Sequence, residues 1–303
     1  MILIVIICVT FLLFVLLYSL PDSRISAMQV SGGGDLLDSV FEYLNAGNGF
    51  FPKYLRYCYN VFFHLNFGTS QSSGYRIAEE LSKYLRTTLI ILFLGFAASL
   101  AVGIAAGVFS ATHKNTPQDR ITRILLLVFS SVPSYIVALI LAILLVLRLK
   151  LLPMNISVMS PRAYIMPTLT IAIGGSSSIA RMIRASFLDV LEQPYIMTLR
   201  AKGLKKSSII FRHSLKNAMI PIASTLRGFI ASLLCGTFVV EHFFNVQGLG
   251  LYMLRAINGR SHFEILGCIM IITLVIALLS IAIDILYAFV NPQVRVHILN
   301  SGD

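Results

Sequence analysis

The chain has 303 residues, of which 57% are hydrophobic and 12% charged, with no Trp and a net charge of +11. Soluble domains carry about a quarter charged residues, so this composition excludes a disordered chain, a disulfide-stapled mini-domain and an ordinary soluble enzyme. A basic surplus points to nucleic acid only when it clusters on a soluble scaffold; on a membrane chain it collects on one side of the bilayer.

A bilayer core of about 30 Å takes roughly 20 apolar residues per helix, and six stretches qualify. Residues 1–20 are uncharged. They lack a basic n-region and exceed the length of an h-region, so they are expected to remain as a span rather than be cleaved. Residues 21–87 form a polar, aromatic-rich excursion with a glycine run at Gly32–Gly34 and helical-looking stretches at 52–63 and 77–86. This segment is too short for a sizeable core of its own and is expected to cap the membrane domain. The second span, 88–111, contains Gly103-x-x-x-Gly107, a spacing that lets two helices approach closely. Packing within one subunit is enough to explain it.

The third span, 124–147, is uncharged and is expected to kink at Pro133. The fourth, 165–183, carries Gly174, Gly175, Ser176, Ser177 and Ser178 in a row. Either a neighbouring helix packs on these small residues or they line a polar path. The fifth, 220–240, and the sixth, 265–290, hold one charge each, Arg227 and Asp284. An ionisable side chain inside a span is a functional candidate by default. The bland readings are snorkelling for Arg227 and pairing within a complex for Asp284. The chain therefore reads as an all-α polytopic membrane protein with six transmembrane helices. Its parts are a first helix with an outer loop (1–87), a five-helix core (88–295) and a tail (296–303).

Lys and Arg in the loops set the orientation. With the N-terminus inside, segments 112–123, 181–219 and 291–303 carry 3, 8 and 1 basic residues. The outer segments 21–87, 148–164 and 241–264 carry 6, 3 and 2. Long loops count little in this rule, so the block 181–219 decides, and both termini are expected in the cytoplasm. Cys8, Cys58, Cys235 and Cys268 have no metal-site spacing and no outer-loop pair to form a disulfide. His113, His213 and His242 are scattered, so no metal cluster is expected. Glu241 with His242 stands at the outer end of the fifth span.

The most informative stretch is 184–221, long and basic on the expected inner side. Leu188, Val190 and Leu191 precede a break at Pro194. Tyr195, Ile196 and Leu199 continue a second short helix that should end near Gly203, a natural C-terminal cap. Ile209, Ile210, Phe211 and Leu215 start a third that runs into the next span. An ordinary positive loop needs no such punctuation and is commonly shorter.

This stretch resembles the cytoplasmic coupling loop of ATP-binding-cassette importer permeases, in the dipeptide, oligopeptide and nickel branch. The matching residues are Arg184, Ser186, Leu188, Leu191, Tyr195, Thr198, Arg200, Ala201, Lys202, Gly203 and Leu204, then Arg212, His213, Leu215, Asn217, Ala218 and Pro221. Leu199 stands where the branch commonly has Ala. The resemblance extends to Pro52–Ser70 with its F-G-T-S end, Val132-Pro133-Ser134-Tyr135, Leu152-Pro153, Gly236-Thr237 to Glu241, and Gly248-Leu249-Gly250. Gln247 and Asn291-Pro292-Gln293 depart from its pattern.

The resemblance implies a bacterial cytoplasmic-membrane permease of the type I importer fold. It also implies partners: a second, homologous permease that shares the passage, two ATPase subunits, and an extracytoplasmic substrate-binding protein. Tyr195, Thr198, Leu199, Arg200, Ala201, Lys202, Gly203 and Leu204 would form the ATPase-coupling segment. The basic Arg200, Lys202, Lys205 and Lys206 either meet acidic ATPase residues or simply hold the loop in the cytoplasm. Ser176, Ser177, Ser178, Arg227 and Asp284 are the passage-lining candidates. The sequence has no G-x-x-x-x-G-K-[ST] phosphate loop. No cofactor is therefore expected on this chain, and ATP with magnesium would sit on the partner ATPases. The branch implies peptide import, with nickel or a metal–chelator complex as the alternative. A stand-alone secondary transporter would need buried carboxylates or broken helices at mid-membrane, and the spans hold a single Asp. An intramembrane enzyme would need a nucleophile–base pair or metal ligands in the spans.

Overall fold

Long uncharged stretches satisfy their backbone polar groups internally, and helix is the way a single segment does so in lipid. The computed structural model describes residues 7–12, 14–15, 50–64, 66–70, 74–152 and 160–290. The first expected span lies mostly outside these residues. The glycine run, Pro153, Asn291-Pro292-Gln293 and the tail lie wholly outside them. Among the described residues every element is helical, with one antiparallel bridge, Thr69 to Arg76.

The helices are α1 (Phe50–His64), α2 (Ile77–Thr112), α3 (Pro117–Ser131), α4 (Ser134–Ala142), α5 (Ile165–Leu191), α6 (Pro194–Ala201), α7 (Leu215–Phe243), α8 (Leu249–Asn258) and α9 (His262–Val290). Among the described residues, three helices are long and apolar enough to cross a membrane: Ile77–Thr112, Pro161–Leu191 and His262–Ile285. The bent pair Pro117–Ser131 and Ser134–Arg148 would make a fourth. The fifth expected span is the 29-residue α7, whose described apolar part is Gly228–Phe243. Among the described residues, the five expected spans from residue 88 onward thus correspond to three unbroken helices, one bent pair and α7.

The third span is corrected most. A kinked helix over 124–147 was expected; two helices meeting at 101° are found. Thr116 caps α3, accepting from the Asp119 N–H at 3.4 Å, and Pro117 opens the first turn. At the other end Val132 is extended at φ −84°, ψ 124°, as the residue before a proline prefers. Ser130 and Ser131 both donate to the Leu127 carbonyl at 2.9 Å, drawing it away from the ladder. Beyond α4 the chain loosens into a π-helical turn, Ile143–Arg148.

The chain divides into two units. One holds residues 1–87 and 247–277, the other 88–246 and 278–303. In the first, the F-G-T-S segment is pinned as a turn. Gly68 and Gly74 have φ of +90° and +74°, and Ser70 donates to the buried Glu264 at 2.6 Å. Tyr252 donates to Glu80 at 2.9 Å and stacks on Tyr84 with ring centroids 4.7 Å apart.

The second unit is built around α5, whose main neighbours are α7, α3 and α4. Ile171, Ile179, Ile183 and Phe187 form its buried stripe. The residues of α2 opposite are small for a reason. A Cβ on Gly103 would stand 2.7 Å from the Ile179 Cβ, and one on Gly107 2.7 Å from the Ala180 carbonyl oxygen. The Gly103-x-x-x-Gly107 spacing therefore serves helix packing inside the subunit.

Candidate functional site

The loop between α5 and α7 follows from three local signals. Gln193 is extended at ψ 143° before Pro194, and Pro194 opens α6. At the far end Gly203 has φ +76°. Its N–H donates to the Arg200 carbonyl at 2.9 Å, and the Leu204 N–H donates to the Leu199 carbonyl at 3.3 Å. These two bonds make a Schellman closure, with glycine at the left-handed position and leucines on both sides of the cap. No heavy atom lies within 4 Å of where a Gly203 Cβ would be. Backbone conformation, not space, calls for glycine here. A turn at Lys206–Ser208 and a π-helical stretch, Ile209–Ser214, lead into α7.

The base of this loop is stitched to the helices beneath it. Ile196 is fully buried and Ile209 nearly so. Asn217 Nδ2 donates to the Tyr195 hydroxyl at 2.9 Å, and Ser186 Oγ donates to the Ala218 carbonyl at 2.8 Å. Arg184 forks onto Asp119, Nε to Oδ1 at 3.0 Å and Nη2 to Oδ2 at 2.9 Å. Asp119 is fully buried in the first turn of α3, before the apolar run begins. Lys114 and Glu192 make an exposed pair at 2.8 Å, and Lys114 draws the Glu192 carboxyl down.

The tip is different. Met197 is 73% exposed and Phe211 65%. Tyr195, Thr198, Arg200, Ala201, Lys202, Lys205 and Lys206 are also exposed. Leu199 and Leu204 are half-buried. Between α6 and the π-helical stretch lies a cavity of about 470 Å³, lined by Thr112, Leu191, Arg200, Leu204, Lys206 and Ile209 among others.

The passage candidates are placed as follows. Ser176 and Ser177 are buried in α5 and donate to the Ile173 carbonyl at 3.0 and 3.2 Å. Ser178 is half-exposed and accepts from Arg181 at 3.5 Å. Gly175 faces Ser99 of α2 so closely that a Cβ would collide with its hydroxyl. Asp284 is half-buried in α9. Arg227 lies in α7, with its side chain outside the described residues. Glu241 is fully buried and accepts from Thr88 at 2.6 Å. Among the described residues no three His, Cys, Asp or Glu gather as a metal site would require.

Sequence reading missed Asp119. Its signal was local: a Thr-Pro-x-Asp helix start, with Ser110 one helical end away and an arginine opening the loop motif. Ile196 was read there as one of the apolar residues of α6, and its full burial follows from the structure.

A family model described as binding-protein-dependent transport system inner membrane component matches residues 103–296. The glutathione transport system permease protein GsiC of Escherichia coli strain K12 is 29% identical over 290 residues, covering 95% of this chain and 94% of the relative. GsiC of Salmonella typhi is 32% identical over 230 residues, covering 76% and 75%. Among solved structures, a chain of the MetNI methionine ABC transporter in inward-facing conformations superposes with a TM-score of 0.61 at 16% identity, covering 74% of this chain and 100% of that one. A chain of an amino acid ABC transporter with histidines gives 0.52 at 16% identity, covering 71% and 94%.

Proposed function

The chain belongs to the family of binding-protein-dependent transport system inner membrane components, and on that premise we propose how this ABC importer permease works and what it carries. It imports peptides. It forms its passage with a second, homologous permease, and two ATPase subunits drive it from the cytoplasmic side. An extracytoplasmic binding protein delivers the substrate. The peptide assignment is supported by similarity along almost the whole length to permeases named for glutathione transport, glutathione being a small peptide.

The observation that carries the coupling role is the contrast within loop 192–214. Its base is fixed by buried and hydrogen-bonded side chains, while its tip presents Met197, Thr198, Arg200 and Lys202 to solvent. A fixed base with an exposed apolar and basic tip suits a rigid knob that enters a groove on another protein. ATP-driven closure of the ATPases would then move α6, and the chain would answer through contacts that differ between the two states. Ser176, Ser177, Ser178, Arg227 and Asp284 are the positions to probe for the passage, and the basic block 181–219 supports an orientation with both termini in the cytoplasm.

The test is reconstitution. The complete transporter in proteoliposomes should accumulate labelled glutathione or a dipeptide only with ATP and the binding protein present. Accumulation of nickel or a metal chelate instead would replace the peptide reading. Transport by this chain alone, driven by an ion gradient, would overturn the importer mechanism.

A further inference from the structure

One side-chain cluster reaches sideways from the coupling loop to a second segment. The buried Asp119 carboxylate takes four hydrogen bonds from three places. Arg184 of α5 supplies two, at 3.0 and 2.9 Å; Ser110 Oγ at the end of α2 donates at 2.6 Å, and the Asn115 N–H at 3.2 Å. Arg184 Nε also donates to Ser110 Oγ at 3.0 Å, and Arg123 stands 3.5 Å from Asp119 one turn along α3. Arg184 itself keeps only 19% of its side chain exposed.

A buried ion pair is poor evidence for stability, because desolvating both charges offsets their attraction and an apolar pair of equal volume holds helices as well. It does supply geometry. A guanidinium forked onto a carboxylate permits one approach, in one plane, whereas packed apolar surfaces slide past each other. Here the fork joins α5, which leads straight into the coupling loop, to the first turn of α3. At its other end α3 meets the 101° break with α4, where no continuous ladder transmits force. The exposed Lys114–Glu192 pair cannot do the same work, being hydrated and screened.

We infer that Asp119 and Arg184 are positioning residues that lock the α2–α3 turn to the base of the coupling loop, so that a displacement of α6 is carried into α3, the lower half of the broken span. The inference rests on the importer mechanism proposed above. It assigns the stroke a second route, sideways into α3, besides the direct one through α5 and α7.

The experiment uses the complete transporter in nanodiscs, with the chain's four native cysteines replaced by serine. Single exposed probes are introduced by Gln118→Cys on α3 or Met197→Cys on α6, and maleimide labelling is timed with and without ATP and vanadate. The parent should show a several-fold nucleotide response at both probes. With Asp119→Asn the α6 response should persist and the α3 response should be lost. The charge reversal Asp119→Arg with Arg184→Asp should restore it in part. Should Asp119→Asn not assemble, Arg184→Lys keeps the charge, loses the fork, and is expected to give the same selective loss. Retention of the α3 response in these variants overturns the inference. So does an equal fall at both probes, or a failure of every variant to assemble, since each marks a purely structural pair. Absence of any response in the parent α6 probe overturns the importer mechanism instead and takes this inference with it.

Discussion

The base and the tip of the loop between α5 and α7 are built from neighbouring residues on opposite principles. At the base, Arg184, Ser186, Ile196 and Asn217 each have a definite partner or are sealed from solvent. At the tip, Met197, Arg200 and Lys202 face outward. Ile196 and Met197 are adjacent, yet one is fully buried and the other 73% exposed. A part that passes on a displacement must not yield where it is mounted. It must stay open where it is driven. The contrast therefore predicts two kinds of mutant: base mutants that cost stability, and tip mutants that keep it and lose only the partner.

The largest effect is expected at the base. Arg184→Met leaves the Asp119 carboxylate buried without its partner, which costs about 3–5 kcal/mol. The thermal unfolding midpoint in detergent should fall sharply, with loss of chain from the membrane. Next comes the floor under the base. Gly103→Leu drives a side chain into Ile179 across the α2–α5 contact, and such overpacking costs about 1–3 kcal/mol. Gly103→Ser should cost less in the same melt, and equal midpoints for the two would weaken the packing account.

Gly203 stands where base gives way to tip. Gly203→Asp must hold a left-handed φ, a strain of roughly 1–2 kcal/mol. The chain should still insert, while uptake by the whole transporter is abolished; normal uptake would show that the closure is dispensable. Asn217→Ala removes one donor from the Tyr195 hydroxyl in an exposed setting, worth about 0.5–1.5 kcal/mol and expected at the lower end. Hydrogen exchange in α6 should quicken modestly. Smallest for stability is the tip itself. Met197→Ser should leave the midpoint within about 0.5 kcal/mol, yet weaken co-purification with the ATPases. A tip mutant that melts early would erase the distinction.

Much of this was legible in the amino-acid sequence because it depends on local chemistry. Uncharged runs located α2, α5 and α9. Proline and glycine at 194 and 203 bounded α6, since fixed φ and left-handed φ are properties of single residues. Gly103 and Gly107 announced a close approach, though not its partner, because spacing says nothing about which helix comes near. The bend at Pro133 was foreseen as a kink and found at 101°. Hydropathy does not encode angles, and the two serines that draw on Leu127 act together with the proline. Asp119 stayed hidden because its meaning depends on Arg184, 65 positions away. Likewise Ser176 and Ser177 read equally well as packing or passage residues, and their burial in α5 is compatible with both.

The broken span has a consequence for what surrounds it. Each half has 15 described residues between Pro117 and Arg148, counting Ser134–Ala142 with Ile143–Arg148. At about 1.5 Å per residue, neither half alone reaches across a hydrocarbon layer of about 30 Å. The elbow near Val132 would then lie at depth, with carbonyls near it that the helices no longer pair. Acyl chains cannot solvate such groups. In the assembled membrane, residues 128–134 must therefore be covered by another polypeptide or by trapped water, and lipid tails should be absent from that spot.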